Sequence, residues 1–353
     1  MLSRIILCML FFFLIGCSST PVRTKTNVVN YFPNNDAEII FNQAKEYYAK
    51  GNFKVAAIGY QKAAEKGLAI AQNNLGFMYY EGKGVYKDFT QAKKWFKKAA
   101  ENGLTDAQYN LAQMYADIEQ DFKQAYFWYK KAATQGEVNA LFNLGLMSYT
   151  GKGTPQNFAQ AKRWFQDAAN KGDTTAPVYL GKMYLKGEGT NRDLDKAQQW
   201  FAKVENDPDA QYELGFMYYS GEGVKQDFNK AEKWFRKAAK QEHPSAQTGL
   251  SQLYYEGKGV KQNFTEAVYW ARLAAKQGHA GAQNNLGMMY YKGEGVRRNL
   301  ILAYQWVSLA VTQGSEKAIK GRDFLIKELS MKQLIEGERL IRKWNKRHNS
   351  QFM

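Results

Sequence analysis

Apolar positions along this chain follow helical spacing, interrupted at regular points by glycine. Ala71, Leu75, Met78 and Tyr79 stand at i, i+4, i+7 and i+8 and so share one helical face. Asp88 then precedes Phe89, Ala92, Trp95, Phe96 and Ala99, a second stripe of the same period. Between the stripes lies Gly82-x-Gly84, and Gly103 follows the second one. Glycine accepts the left-handed backbone that closes a helix, so these positions predict helix ends. The pattern predicts two amphipathic helices per unit and carries no strand signal. Gly76, Ala92 and Ala99 leave room for close helix approach, and Trp95 is expected to fill the space between the pair.

The unit recurs. Its first-helix Leu falls at Leu75, Leu111, Leu144, Leu180, Leu214, Leu250 and Leu286, with separations of 36, 33, 36, 34, 36 and 36. Its second-helix Trp falls at Trp95, Trp128, Trp164, Trp200, Trp234, Trp270 and Trp306. Two landmarks moving in step define an all-α, helical-repeat solenoid, in which a hairpin buries its apolar faces only against its neighbours. The copies are 68–103, 104–136, 137–172, 173–206, 207–242, 243–278 and 279–314. Residues 37–67 read as a plainer first hairpin, opened by Asp36 as N-cap. Pro208 and Pro244 fall in the first turns of their helices, where a missing N–H does no harm. Residues 315–353 leave the pattern. Ala318, Arg322, Leu325 and Leu329, then Leu334, Leu340, Ile341 and Trp344, predict a capping helix pair broken near Ser330. That segment holds ten Lys/Arg against five acids, which suits a solvated cap or a docking surface for an anionic partner.

The consensus A-x-x-x-L-G-x-M-Y-x-x-G-x-G-V-x-x-D/N-x-x-x-A-x-x-W-F-x-x-A-A-x-x-G resembles the Sel1-like repeat, a longer relative of the tetratricopeptide repeat. The resemblance covers 68–314, and Tyr212–Gln241 follows it almost throughout. It implies an α/α solenoid wound as a right-handed superhelix, acting as a non-enzymatic scaffold for protein or peptide partners. Three departures stand out. The unit 104–136 reads Ala116-Asp117-Ile118-Glu119-Gln120 where Gly-x-Gly belongs. The unit 173–206 is shortened after Trp200, with Val204-Glu205 in place of the small pair. Glu242 replaces a closing glycine. The first two are expected to disturb regular curvature.

In tetratricopeptide-like solenoids the first helix lines the concave face. Carried over, that register puts the face at two residues before the repeat Leu, two after it and five after it. The positions are Asn73, Phe77 and Tyr80; Tyr109, Gln113 and Ala116; Phe142, Leu146 and Tyr149; Val178, Lys182 and Leu185; Tyr212, Phe216 and Tyr219; Thr248, Gln252 and Tyr255; Asn284, Met288 and Tyr291. Two outcomes are open. A tight superhelix would pack these residues between units, or they form an aromatic groove of the residue types that dominate interaction hot spots.

The N-terminus is of another kind. Arg4, an apolar run over Ile5–Ile15 and Gly16-Cys17 fit a secretion signal too short to cross a bilayer. Leu14-Ile15-Gly16-Cys17 resembles the bacterial lipobox, which implies cleavage of residues 1–16 and a lipid on Cys17. Ser18 in place of Asp then implies the outer membrane, facing the periplasm. Residues 17–36 carry that Cys and a polar stretch with Pro21 and Pro33, read as a tether.

The formal charge is +16, and +15 without residues 1–16, which hold one Arg and no acid. Such a chain is attracted to acidic surfaces in a salt-dependent way. Nucleic acid is not expected as a partner in the periplasm. Both cysteines, Cys8 and Cys17, lie in the first 17 residues, so the body has neither disulfide nor thiolate. His243 and His279 stand 36 residues apart at equivalent places, which argues for repeat junctions and against a metal site. The six Gly-x-Gly segments follow helices, not strands, so they read as turns and not as phosphate loops. Beside those glycines Glu188, Glu222 and Glu294 alternate with Lys83, Lys152 and Lys258, which suggests solvent exposure and not a catalytic carboxylate. No cofactor is expected. Two further readings are a cell-wall enzyme, against which the inventory counts, and a direct binder of anionic envelope polymer.

Overall fold

The structure, a computed structural model, describes residues 31–349 apart from 223. Cys17 and Gly223 therefore lie outside the described residues. Every regular element among those residues is helical. The first hairpin is α1 (Ala37–Ala49) and α2 (Phe53–Glu65). The repeats then supply α3 (Ala69–Glu81), α4 (Phe89–Glu101), α5 (Thr105–Asp117), α6 (Phe122–Thr134), α7 (Val138–Thr150) and α8 (Phe158–Asn170). They continue with α9 (Ala176–Lys186), α10 (Leu194–Ala202), α11 (Pro208–Ser220), α12 (Phe228–Lys240), α13 (Pro244–Glu256) and α14 (Phe264–Lys276). The last copy is α15 (Ala280–Lys292) with α16 (Leu300–Thr312), followed by α17 (Glu316–Glu328) and α18 (Met331–Asn349).

The chain divides into two compact units, up to Ala92 and from Lys93, with the boundary inside α4. In the first unit α1 pairs with α2, and α2 packs on α3. Asp36 caps α1 as expected, accepting from the amides of Glu38 and Ile39. Folded structure begins before that cap: Phe32, within the stretch read as tether, is 2% exposed and its ring lies where a Gly59 side chain would be. In the second unit each odd-numbered helix from α5 to α15 pairs with the next even one, which in turn packs on the following odd one. This is the hairpin stack that the two in-step landmarks predict.

Both glycines of Gly-x-Gly have separate duties. In the last repeat Gly293 closes α15 at φ +77°, as a C-terminal cap should. Gly295 does something the sequence did not reveal. A Cβ there would stand 2.1 Å from the carbonyl oxygen of Phe264, in the first turn of the preceding repeat's second helix. Gly84, Gly153, Gly189 and Gly259 meet Phe53, Phe122, Phe158 and Phe228 in the same way. The second glycine is thus a repeat-to-repeat joint, where two backbones touch.

A buried glutamine three residues before the repeat Leu makes a second joint. Gln108, Gln247 and Gln283 donate to the carbonyls of Ala100, Ala239 and Ala275 in the preceding hairpin, at 3.2, 3.3 and 3.2 Å. Gln135, Gln241 and Gln277 close three of the repeats by donating to Gln108, Gln211 and Gln247. A buried amide left without partners would be costly, so this ladder fixes register as well as contact.

The tryptophan expectation needs correction. Between paired helices the space over the Leu-Gly glycine is filled by the residue after the Trp. A Cβ at Gly145, Gly181 or Gly215 would strike Phe165, Phe201 or Phe235 within 2.6 Å. Phe165 and Phe201 are fully buried and Phe235 is 2% exposed. Trp95, Trp128, Trp270 and Trp306 are buried, while Trp164, Trp200 and Trp234 are only partly so. Four of the indoles, those of Trp95, Trp128, Trp200 and Trp234, have a lysine over the ring, as Lys237 over Trp234 at 4.2 Å.

The three departures have local consequences. Without its glycines the 104–136 turn forces Gln120 to φ +54°, and Glu242 takes φ +62° in place of glycine. The shortened copy has an α10 of 9 residues where its counterparts have 13. At the other end, α17 begins 36 residues after α15 and so keeps the repeat register for one more helix. α18 then turns back onto α16.

Candidate partner-binding face

First helices present two kinds of side chain besides the core Leu. One turns into the hairpin; the other, two and five residues after the Leu, sits at the helix surface. In the first unit Phe77 and Tyr80 are 41% and 36% exposed, with Tyr80 against Phe89 at 5.4 Å between ring centres. Asn73 corrects the expectation: it shares the helical stripe of Phe77 and Tyr80, yet it is 6% exposed and belongs to the packed interior, where neighbouring residues cover it. Val178 and Leu185 are likewise buried, so the shortened copy contributes little surface.

In the second unit Tyr109 leans on Tyr129 and accepts from Gln113 at 2.9 Å. Phe142 lies between Phe165 and Tyr179, and Tyr149 between Phe158 and Tyr179. Tyr179, missed in the sequence, is the ring that links these two. The most continuous run is Tyr212, Phe216 and Tyr219, with ring centres 6.2 and 6.5 Å apart along one line of α11. Phe235 supports it from beneath Tyr212 and Tyr219, and His243 stacks on Tyr212 at 4.9 Å. Phe216 remains 37% exposed. Gln252 is exposed and bonds Glu256, Tyr255 meets Phe264, and Asn284 and Met288 are half-buried. Tyr291 packs edge-on against Phe324 of α17 at 5.6 Å. Phe324 stands 36 residues after Met288 and so extends the row; the continuing period was its signal.

Residues between the glycines keep much of the solvent exposure expected of them and also reach the preceding repeat. Tyr149 donates to Glu188 at 2.6 Å, and Tyr255 to Glu294 at 2.7 Å. Lys83, Lys152 and Lys258 instead lie over the rings of Phe53, Phe122 and Phe228. The Glu/Lys exchange is thus an exchange of bonding mode with the preceding repeat. Burial, then the Glu188 carboxylate, pushes the Tyr149 hydroxyl well above the usual phenol range. Burial raises Tyr109, Tyr212 and Tyr219 too. These four hydroxyls are thereby held in the neutral form.

Two of the histidines are helix caps. His243 and His279 accept from the amides of Ala246 and Ala282 at the starts of α13 and α15. Among the described residues no cluster of three His, Cys, Asp or Glu could hold a metal ion. Two hollows of about 500 and 570 Å³ sit 36 residues apart in register, around Tyr290, Val296 and Asn299 and around Tyr254, Val260 and Asn263. They belong to the repeated loops and lie apart from the row.

Family-level comparison matches the Sel1 repeat at residues 69–104, 105–137, 138–173, 178–203, 208–243, 244–279 and 280–315. The chain belongs to the Sel1 repeat family. A Sel1 repeat protein from Oxalobacter formigenes is 28% identical, with a TM-score of 0.67 over 87% of this chain and 98% of that one. The c5321 antigen of uropathogenic Escherichia coli, an SLR fold, is 29% identical with a TM-score of 0.49, over 88% of this chain and 84% of the other. An 83-residue stretch, 22% of this chain, is 35% identical to the ERAD-associated E3 ubiquitin-protein ligase component HRD3 of Candida glabrata. That match spans only 10% of the ligase component's length. Sel1-repeat solenoids typically serve as protein-interaction scaffolds.

Proposed function

We propose that this Sel1 solenoid is a non-enzymatic scaffold that holds a protein or peptide partner along the surface row of its first helices. One observation carries the reading: Tyr212, Phe216 and Tyr219 form a continuous aromatic line that is supported from below yet left open at Phe216. Aromatic side chains on a rigid base lose little entropy on binding and bury much area. Their hydroxyls offer hydrogen bonds to an extended backbone. The HRD3 resemblance, to a named component of a larger assembly, agrees with such a role. A cell-wall enzyme gains no support, since His243 and His279 cap helices and Glu188 and Glu294 are engaged by tyrosines.

The scaffold is tethered through a lipid on Cys17 to the outer membrane and faces the periplasm. Replacing Cys17 by Ser is expected to move the protein from the membrane to the soluble fraction and abolish acyl incorporation. In-cell crosslinking of the full chain should capture partners that are lost from the Phe216→Ala/Tyr219→Ala variant at unchanged helicity. An identical set of crosslinked products from that variant would refute the row as the binding surface.

A further inference from the structure

The C-terminal helices carry an apolar patch outside the aromatic row. Ile319 and Ile326 on α17 are 41% and 40% exposed, and Met331 and Ile335 on α18 are 72% and 61% exposed. Ile319 and Ile326 are two turns apart on one line, and Met331 and Ile335 one turn apart on another. Neither line is a packing face. α17 buries Ala318 and Leu325, and α18 buries Ile341 with Leu334 and Trp344 packed against the same core.

Charge around the patch is predominantly positive, with Glu316 and Asp323 as exposed acids on α17. Lys317, Lys320, Lys327 and Lys332 are exposed beside it. Along α18 the line of Met331 and Ile335 continues into Arg339, Arg342 and Lys346, also exposed. Four of the five acids of this segment make local pairs. Asp323 pairs with Arg322, Glu328 with Arg298 and Glu336 with Arg339, and Glu338 accepts from Tyr304.

We infer that this end of the chain docks on the surface of an anionic lipid bilayer. Isoleucine and methionine projecting among lysines is the arrangement that enters the boundary between acyl chains and headgroups. The lysine stems lie along the apolar layer while their ammonium groups reach phosphate. A second copy seated on this patch by twofold symmetry would set lysine against lysine, so charge disfavours it. An anionic bilayer has the opposite sign and no fixed shape to match.

The test uses the full chain with Cys8→Ser and Cys17→Ser, which leaves one thiol when Ile335→Cys is added. An environment-sensitive fluorophore on that thiol should shift to the blue with vesicles containing roughly a third phosphatidylglycerol, and little with purely phosphatidylcholine vesicles. Lys327→Gln with Lys332→Gln should weaken partitioning by about 25-fold, roughly fivefold for each lysine removed. Raised salt should act in the same direction. A probe at Lys54→Cys, exposed on α2, should not shift, which separates this contact from any made by residues 1–17. The inference fails if anionic vesicles leave the Ile335→Cys probe unchanged. It fails equally if neutral vesicles or the Lys54→Cys probe give the same shift. A shift that grows with protein concentration in the absence of lipid would assign the patch to self-association instead.

Discussion

Phe235 and Trp234 are neighbours in sequence with different fates. Phe235 is 2% exposed and fills the gap over Gly215, whereas Trp234 is partly exposed beneath Lys237. Truncating a fully buried aromatic leaves a cavity between two helices that cannot close on themselves. Phe235→Ala is expected to cost about 3–5 kcal/mol. Trp234→Ala should cost less, about 1–2 kcal/mol, since water and Lys237 can enter the vacated space. Urea unfolding of the two variants compares them directly; equal midpoints would place the indole in the core after all. Glu242 gives the opposite sign. Its φ of +62° is strained for a residue with a Cβ, and its carbonyl, which accepts from Gln277, is retained by glycine. Glu242→Gly should therefore stabilise by about 0.5 kcal/mol, relief of strain being partly offset by the greater freedom of the unfolded chain. A lower urea midpoint would show that the Glu242 side chain contributes more than its backbone loses.

At the scale of elements, joints matter more than helices. Gly295 and Gly314 both have positive φ, +71° and +82°, so an alanine is strained at either. Only Gly295 lies against backbone, at Phe264; nothing stands within 4 Å of a Cβ at Gly314. Gly295→Ala should thus cost clearly more than Gly314→Ala, and equal losses in thermal unfolding would remove the joint from the argument. His279 makes the α14–α15 joint sensitive to pH. Its Nδ1 accepts from the Ala282 amide, and burial, then the nearby His243, holds its pKa below the ordinary 6.5. The unfolded chain takes up a proton near pH 6.5 and the folded one only lower. Stability contributed by His279 is present above that value and is lost as pH falls below it. His279→Asn keeps a cap without titrating. Its unfolding midpoint should fall less than the wild type's between pH 7.5 and pH 5.5, and parallel curves would exclude His279 as the source. Helices and caps such as Asp36 and Gly293 were legible because spacing and residue type act locally. The joints were not. Gln108, Gln247 and the second glycine look like ordinary helix and turn residues until a neighbouring repeat is placed beside them, and the same holds for the reach of Tyr149 to Glu188.

The molecule as a whole is a series of such joints, so its stability is set copy by copy and not by one core. Legibility followed the same division. Period and landmarks showed the stack and, in each unit separately, exposed first-helix aromatics such as Phe77 and Phe216, but not which surface positions neighbours cover, as Asn73 shows. Within the second unit the copies are unequal. α10 has 9 residues and buries Ala197 and Phe201, while Val204 and Glu205 stand where others carry a small pair. α16 has 13 residues, buries eight of them in a row from Ala303 to Ala310, and is packed by α15, α17 and α18. Local opening requires breaking the joints on both sides of a copy, and it is easiest where helices are short and little apolar area is lost. Amides of α9 and α10 should therefore exchange with deuterium faster than those of α15 and α16 under native conditions. Unfolding by urea should then depart from a single transition, because the weak copy opens before the terminal one. Peptide-resolved hydrogen exchange decides the matter. Uniform protection from α9 through α16 would mean that the stack opens as one body, and that the shortened copy is no weaker than its neighbours.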